Sequence, residues 1–174
     1  MRKLFKRVEL LINVAIIVVA ILLSVVLVKN SILTRRNARA RLAPVAKEVA
    51  PGDKVPLAGV EWVKNSHTLL LVLQKGCHFC TESAPFYQRL VKETSRRNDV
   101  RLIALLPQQV AESKHYLDEI GVSIAEVMQV APGQVNVDGT PTLILVNSNG
   151  VVTDVWAGKL PSEAESQVLS KLQA

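Results

Sequence analysis

The stretch "LLLVLQKGCHFCTESAP", Leu69 to Pro85, decides how this chain is read. A run of apolar residues gives way to Gln74-Lys75-Gly76. Two cysteines, Cys77 and Cys80, then follow with two residues between them. The apolar run suits a strand buried on both faces. The segment after Gly76 has helical spacing, with Phe86, Tyr87, Leu90 and Val91 on one side. Cys77 therefore stands at a strand-to-helix junction. Free backbone N–H groups and the helix dipole there favour a thiolate. Cys80, one turn later, is close enough to close a small disulfide ring. His78 adds a cation when protonated, Lys75 is a second positive group, and Phe79 offers an apolar surface beside the pair.

These are the chain's only cysteines, and His67, His78 and His115 are its only histidines. A structural zinc site needs four ligands. His67 opens a strand and His115 lies within a helix, so neither is an evident partner. Two sulfurs alone suit copper(I). Thiol–disulfide exchange, a copper(I)-handling carrier and a non-catalytic docking module are thus the competing readings.

Outward from this stretch, strands and helices alternate. "VRLIALLP" (100–107) reads as a second buried strand and "QQVAESKHYLDEIG" (108–121) as an amphipathic helix stopped by Gly121. "VSIAEVMQVAPGQVNV" (122–137) is ambiguous. "PTLILVNSNGVVTDVWAG" (141–158) reads as a hairpin with Asn149-Gly150 in its turn, and "PSEAESQVLSKLQ" (161–173) as a last helix. The order β-α-β-α-β-β-α describes an α/β domain, a mixed sheet flanked by helices.

Charge divides the chain. Residues 1–50 hold ten Lys/Arg against two Asp/Glu, a net of +8; residues 51–174 hold eleven against thirteen, a net of −2. The folded part carries no basic patch of the kind that binds nucleic acid. "LLINVAIIVVAILLSVVLV", residues 10–28, is nineteen residues without a charge. At about 1.5 Å per residue it spans roughly 28 Å, close to a bilayer core. It has no polar face, as a core helix would. It is also longer than a signal-peptide core, and "ARA" at 38–40 lies about ten residues beyond it. The expected organisation is a basic tail (1–9), a transmembrane anchor (10–28), a juxtamembrane linker (29–56) and a domain over 57–174. Basic residues flank the anchor on both sides, so the positive-inside count does not choose an orientation. The denser cluster, Arg2, Lys3, Lys6 and Arg7, favours an N-terminus inside.

"CHFC" after a buried strand, Pro85 five residues beyond Cys80, "GTPT" at 139–142, and Gly150 and Gly158 together resemble the thioredoxin superfamily. The resemblance is closer to its membrane-anchored TlpA/ResA-like (redoxin) branch, and it covers about residues 57–174. It implies a thioredoxin-like fold and a thiol–disulfide oxidoreductase that needs no cofactor beyond a Cys77–Cys80 disulfide. Cys77 would be the attacking thiol and Cys80 the resolving one. Thr140 and a cis Pro141 would hold the substrate. Protein thiols and disulfides and an upstream redox partner would be its partners, outside a bacterial-type inner membrane in the periplasm. The direction of exchange is not legible, although anchored relatives are mostly reductants.

Three departures from the pattern stand out. "LQKG" replaces the aromatic run before the cysteines. Leu71 stands where thioredoxins bury an acid. Ser83 stands where TlpA/ResA-like members carry a Glu, with Glu82 one position early. Trp62 and Trp156 are expected in packing rather than in a groove, and His115 in solvent.

Overall fold

The computed structural model describes residues 47–173. The expected anchor, basic tail and most of the linker lie outside these residues. Among the described residues no helix is long and apolar enough to cross a membrane.

The elements in chain order are β1 (His67–Val72), α1 (His78–Glu82), α2 (Ala84–Thr94), β2 (Val100–Leu106), α3 (Val110–Glu119), β3 (Glu126–Gln129), β4 (Thr142–Asn147), β5 (Val152–Ala157) and α4 (Ser162–Gln173). A short 3-10 turn, Trp62–Lys64, precedes β1. The five strands form one sheet in the order β3-β2-β1-β4-β5. β1 runs parallel to β2, and β2 to β3. β4 is antiparallel to both β1 and β5.

Strand periodicity explains why three strands are apolar throughout. Leu69 and Leu71 of β1, Ala104 and Leu106 of β2, and Leu143 and Leu145 of β4 point to one face, where Phe86, Tyr87, Leu90, Leu117 and Val168 pack on them. Their neighbours Leu70, Val72, Ile103, Leu105, Ile144 and Val146 point to the other face. Successive side chains alternate across a sheet, so a strand covered on both sides must be apolar at every position.

Both crossovers, β1 to β2 and β2 to β3, step the same way along the sheet. Right-handed connections that step one way put their helices on one face, and α1, α2 and α3 all pack there. The second face is covered by irregular chain, with Val55, Leu57 and Val60 before β1 and Val130 and Val135 after β3. The stretch 47–56 thus packs on the domain, although the sequence reads as linker up to residue 56. The Val55 side chain is buried. Lys54 bridges to Val151, the Gly52 N–H donates to the Val152 carbonyl, and the Val152 N–H donates to the Asp53 carbonyl.

Two further differences from the sequence expectations appear. The ambiguous 122–137 stretch contains β3, a short edge strand. It is fixed by a long-range pair, with the Arg101 Nε donating to both Glu126 carboxylate oxygens at 2.8 and 2.9 Å. The helix after Cys77 divides at Ser83, with Pro85 in the first turn of α2. Proline lacks the N–H that would continue the ladder.

The expected hairpin turn contains Gly150, with φ of +73°. A Cβ there would stand 3.0 Å from the Trp62 ring, so that ring caps the turn at the end of the sheet remote from the cysteines. Trp156 lies on β5 opposite Leu143 and donates from Nε1 to Gln167 of α4.

Candidate functional site

The site forms at the end of the sheet where β1 stops and β4 starts, since Val72 is paired with Thr142. After β1 the chain turns tightly: the Cys77 N–H donates to the Gln74 carbonyl at 3.2 Å. Gly76, with φ of +81°, takes the third position of that turn, where an L side chain would be strained. The turn delivers Cys77 as the N-cap of α1, in extended backbone conformation.

Cys77 and Cys80 are disulfide-bonded, with their Cα atoms 5.2 Å apart. Cys77 Sγ accepts a hydrogen bond from the Cys80 backbone N–H at 3.1 Å. A sulfur held by helix N–H groups is favoured as an anion once the disulfide opens. Cys77 is half-buried, whereas Cys80 is wholly buried. Of the two cysteines, only Cys77 is accessible to an incoming group.

The loop before β4 closes over the pair. The Thr140–Pro141 peptide is cis. The Thr140 carbonyl oxygen lies 3.2 Å from Cys77 Sγ; in the thiol form the S–H has its acceptor there. The Thr142 hydroxyl donates to the Gly139 carbonyl at 2.8 Å, and the Gly158 N–H donates to the Pro141 carbonyl at 2.7 Å. Both bonds hold the loop in place. Thr140 is half-buried and Pro141 buried against the sheet.

The other candidate residues diverge. Lys75 Nζ bonds Glu112 Oε1 of α3 at 2.9 Å, and the carboxylate raises the lysine pKa. Its charge is thus shared with an acid. His78 is exposed and its Nε2 lies 3.0 Å from Glu82 Oε1, one turn along α1. Phe79 is 54% exposed beside the disulfide, which leaves an apolar face available to a partner. His115 is exposed and near Glu119 on α3.

The departures noted in the sequence also have a structural form. Leu71 is fully buried in the same apolar cluster as Cys80, where thioredoxins place an acid. Ser83 donates its hydroxyl to the Phe79 carbonyl at 2.8 Å and serves the junction between α1 and α2. Glu82 is joined by Lys159, whose Nζ donates to Glu82 Oε2 at 2.9 Å. That bond, with burial opposing and His78 assisting, holds the Glu82 carboxyl below the usual carboxylate range. Lys159 and Glu112 were not singled out in the sequence. Each meets its partner across 77 and 37 residues, respectively, and no local spacing signals such a pair.

A cleft of about 470 Å³ lies elsewhere, lined by Asn65, Arg97, Arg101, Ser123 and Glu126 among others. It includes neither cysteine. Among the described residues no group of three or more His, Cys, Asp or Glu side chains is arranged to hold a metal ion.

No family model and no curated relative matches the chain. Solved structures do. A thiol:disulfide interchange protein DsbE from Chlorobium tepidum superposes with a TM-score of 0.57 at 20% identity, over 72% of this chain and 98% of that one. The thioredoxin domain of a thiol-disulfide oxidoreductase from Bacteroides vulgatus gives 0.55 at 16% identity, over 72% and 99%. A thiol-disulfide isomerase from Corynebacterium glutamicum gives 0.51 at 21% identity, over 76% and 97%. The chain has a thioredoxin-like α/β fold, with its Cys-x-x-Cys pair at the strand-to-helix junction.

Proposed function

We propose that this chain is a membrane-tethered thiol–disulfide oxidoreductase that exchanges disulfides with extracytoplasmic proteins. One observation carries the reading: an accessible Cys77 sulfur, bonded to a buried Cys80, lies against the carbonyl of Thr140 beside a cis proline. Solved proteins of similar fold are described as thiol–disulfide oxidoreductases and isomerases, which supports it.

In the reducing direction, the Cys77 thiolate attacks one sulfur of a substrate disulfide. An S–S bond forms between Cys77 and the substrate, and the departing substrate thiolate takes a proton from solvent. Cys80, once deprotonated, then attacks Cys77 Sγ. The Cys77–Cys80 disulfide forms and the second substrate thiolate leaves. Two electrons pass to the substrate, and an upstream dithiol protein returns them. In the oxidising direction the same steps run backwards. The buried position of Cys80 keeps it from meeting the substrate first. The N–H of Cys80 stabilises the Cys77 thiolate. The Thr140 backbone aligns the substrate as an added strand, and Phe79 supplies apolar contact.

Residues 10–28 anchor the chain in a bacterial-type cytoplasmic membrane, and the domain faces the oxidising side. The charge-free length of that run and the single cysteine pair support this arrangement. We favour the reductant direction.

The test is reduction of insulin disulfides by the full chain with a dithiol donor. Wild type is expected to turn over, and Cys77→Ser to fall to background with an unchanged circular dichroism spectrum. Equal rates for the two proteins would sink the proposal.

A further inference from the structure

The redox pair lies in a closed ring of contacts that disulfide exchange does not itself require. Cys77 Sγ touches the Thr140 carbonyl. The next residue, Pro141, accepts from the Gly158 N–H at 2.7 Å. Lys159 follows Gly158 and donates to Glu82 Oε2 at 2.9 Å. Glu82 Oε1 faces His78 Nε2 at 3.0 Å, and His78 adjoins Cys77. We propose that Glu82 and Lys159 are a charge-balanced clasp that positions α1 against the Pro141 loop and sets the dithiol–disulfide equilibrium of Cys77 and Cys80. This rests on the reading of the two cysteines as an exchanging pair.

Three observations support the clasp. Glu82 lies two residues beyond Cys80 on the same short helix. At about 1.5 Å per residue, its Cα is roughly 7.5 Å along the axis from that of Cys77. That is within the distance over which physiological salt leaves charges coupled, about 8 Å. Second, a carboxylate so close to a developing thiolate disfavours it, and a paired ammonium offsets that effect. Third, the lysine is not placed by its own flexible stem alone. Its backbone is tied to the Pro141 loop through Gly158, so the charge is held beside that loop. The pair is exposed, with side chains 50% and 38% accessible, and such pairs add little to stability. Its effect falls on the neighbouring sulfur instead. The Glu82 carboxylate joins the cysteine helix to Lys159, whose neighbour Gly158 bonds the proline loop.

The measurement is the equilibrium of the full chain with glutathione at pH 9, above the range in which cysteines at helix N-termini form thiolates. Two glutathione thiols reduce the disulfide. The products are glutathione disulfide, a Cys77 thiolate, a Cys80 thiol and one proton released to solvent.

Lys159→Met leaves the Glu82 charge uncompensated. It should shift the equilibrium toward the disulfide by about threefold, and raise the Cys77 pKa read by thiolate absorbance. A threefold change corresponds to about 14 mV, toward a more reducing pair. Glu82→Gln leaves Lys159 uncompensated, and should shift both quantities the opposite way by about as much. Lys159→Arg should keep the wild-type equilibrium, and 1 M salt should shrink both shifts.

A merely structural contact would not give shifts of opposite sign. Shifts of the same sign, or none in variants with intact circular dichroism spectra, would overturn the clasp. That result leaves the exchange reading standing when wild type equilibrates with glutathione. A wild-type disulfide that glutathione and dithiothreitol fail to open in the folded chain would overturn the exchange reading, and the clasp with it.

Discussion

The two faces of the sheet are built differently. One face packs against α1, α2, α3 and α4 and contains Cys80. The other packs against irregular segments, contributed by residues 55–60 and 130–135, and its buried apolar cluster is built of Val, Leu and Ile side chains. The difference follows from chain direction. β1, β2 and β3 advance one way along the sheet, which sends their helices to a single side. The return from β3 to β4 and the approach to β1 are left to cover the other. Chemistry therefore collects on the helical face, where a helix start can hold a sulfur. The strapped face contributes burial.

Substitutions on each face should separate these roles. Phe86 is the largest apolar side chain that α2 buries on the helical face and it shares a cluster with Cys80. Phe86→Ala should cost about 3–5 kcal/mol in urea unfolding. It should also slow disulfide exchange in the fraction that stays folded, because the cysteine helix loses its support. On the strapped face, Val135→Ala removes a smaller buried group. It should cost about 1–3 kcal/mol and leave the exchange rate of the folded protein unchanged. Equal loss of exchange in both variants at matched folded fraction would remove the distinction between the faces.

The helical face was largely legible in the sequence. Its periodicities are local: the Leu69–Val72 run, the Phe86, Tyr87, Leu90 spacing, and the Asn149-Gly150 turn. Cys77 at a helix start is also a local fact. The strapped face was not legible. Val55 and Leu57 lie in a Pro/Gly-punctuated stretch that reads as linker, and only their place in the cluster with Ile144 and Val146 fixes them. β3 escaped for a similar reason. "EVMQ" is four residues long, sits at the sheet edge and is only partly buried, so neither alternation nor a continuous apolar run marks it. Arg101 pins it from 25 residues away. Within the site, the cysteines and the proline loop were visible as motifs. The ion pairs around them were not, because Lys75 with Glu112 and Lys159 with Glu82 join residues that only the fold brings together.

The central claim is that Cys77 is the sulfur that meets the substrate. The most direct test is to trap its covalent intermediate. The full chain carrying Cys80→Ser is mixed with a disulfide-bridged peptide, and the adduct is mapped by mass spectrometry. One peptide should be held per chain, bonded to Cys77 and released by dithiothreitol. The reciprocal variant, Cys77→Ser, should trap little or none, since Cys80 is buried. No adduct on Cys77, or equal trapping by both variants, would contradict the assignment of Cys77 as the attacking sulfur.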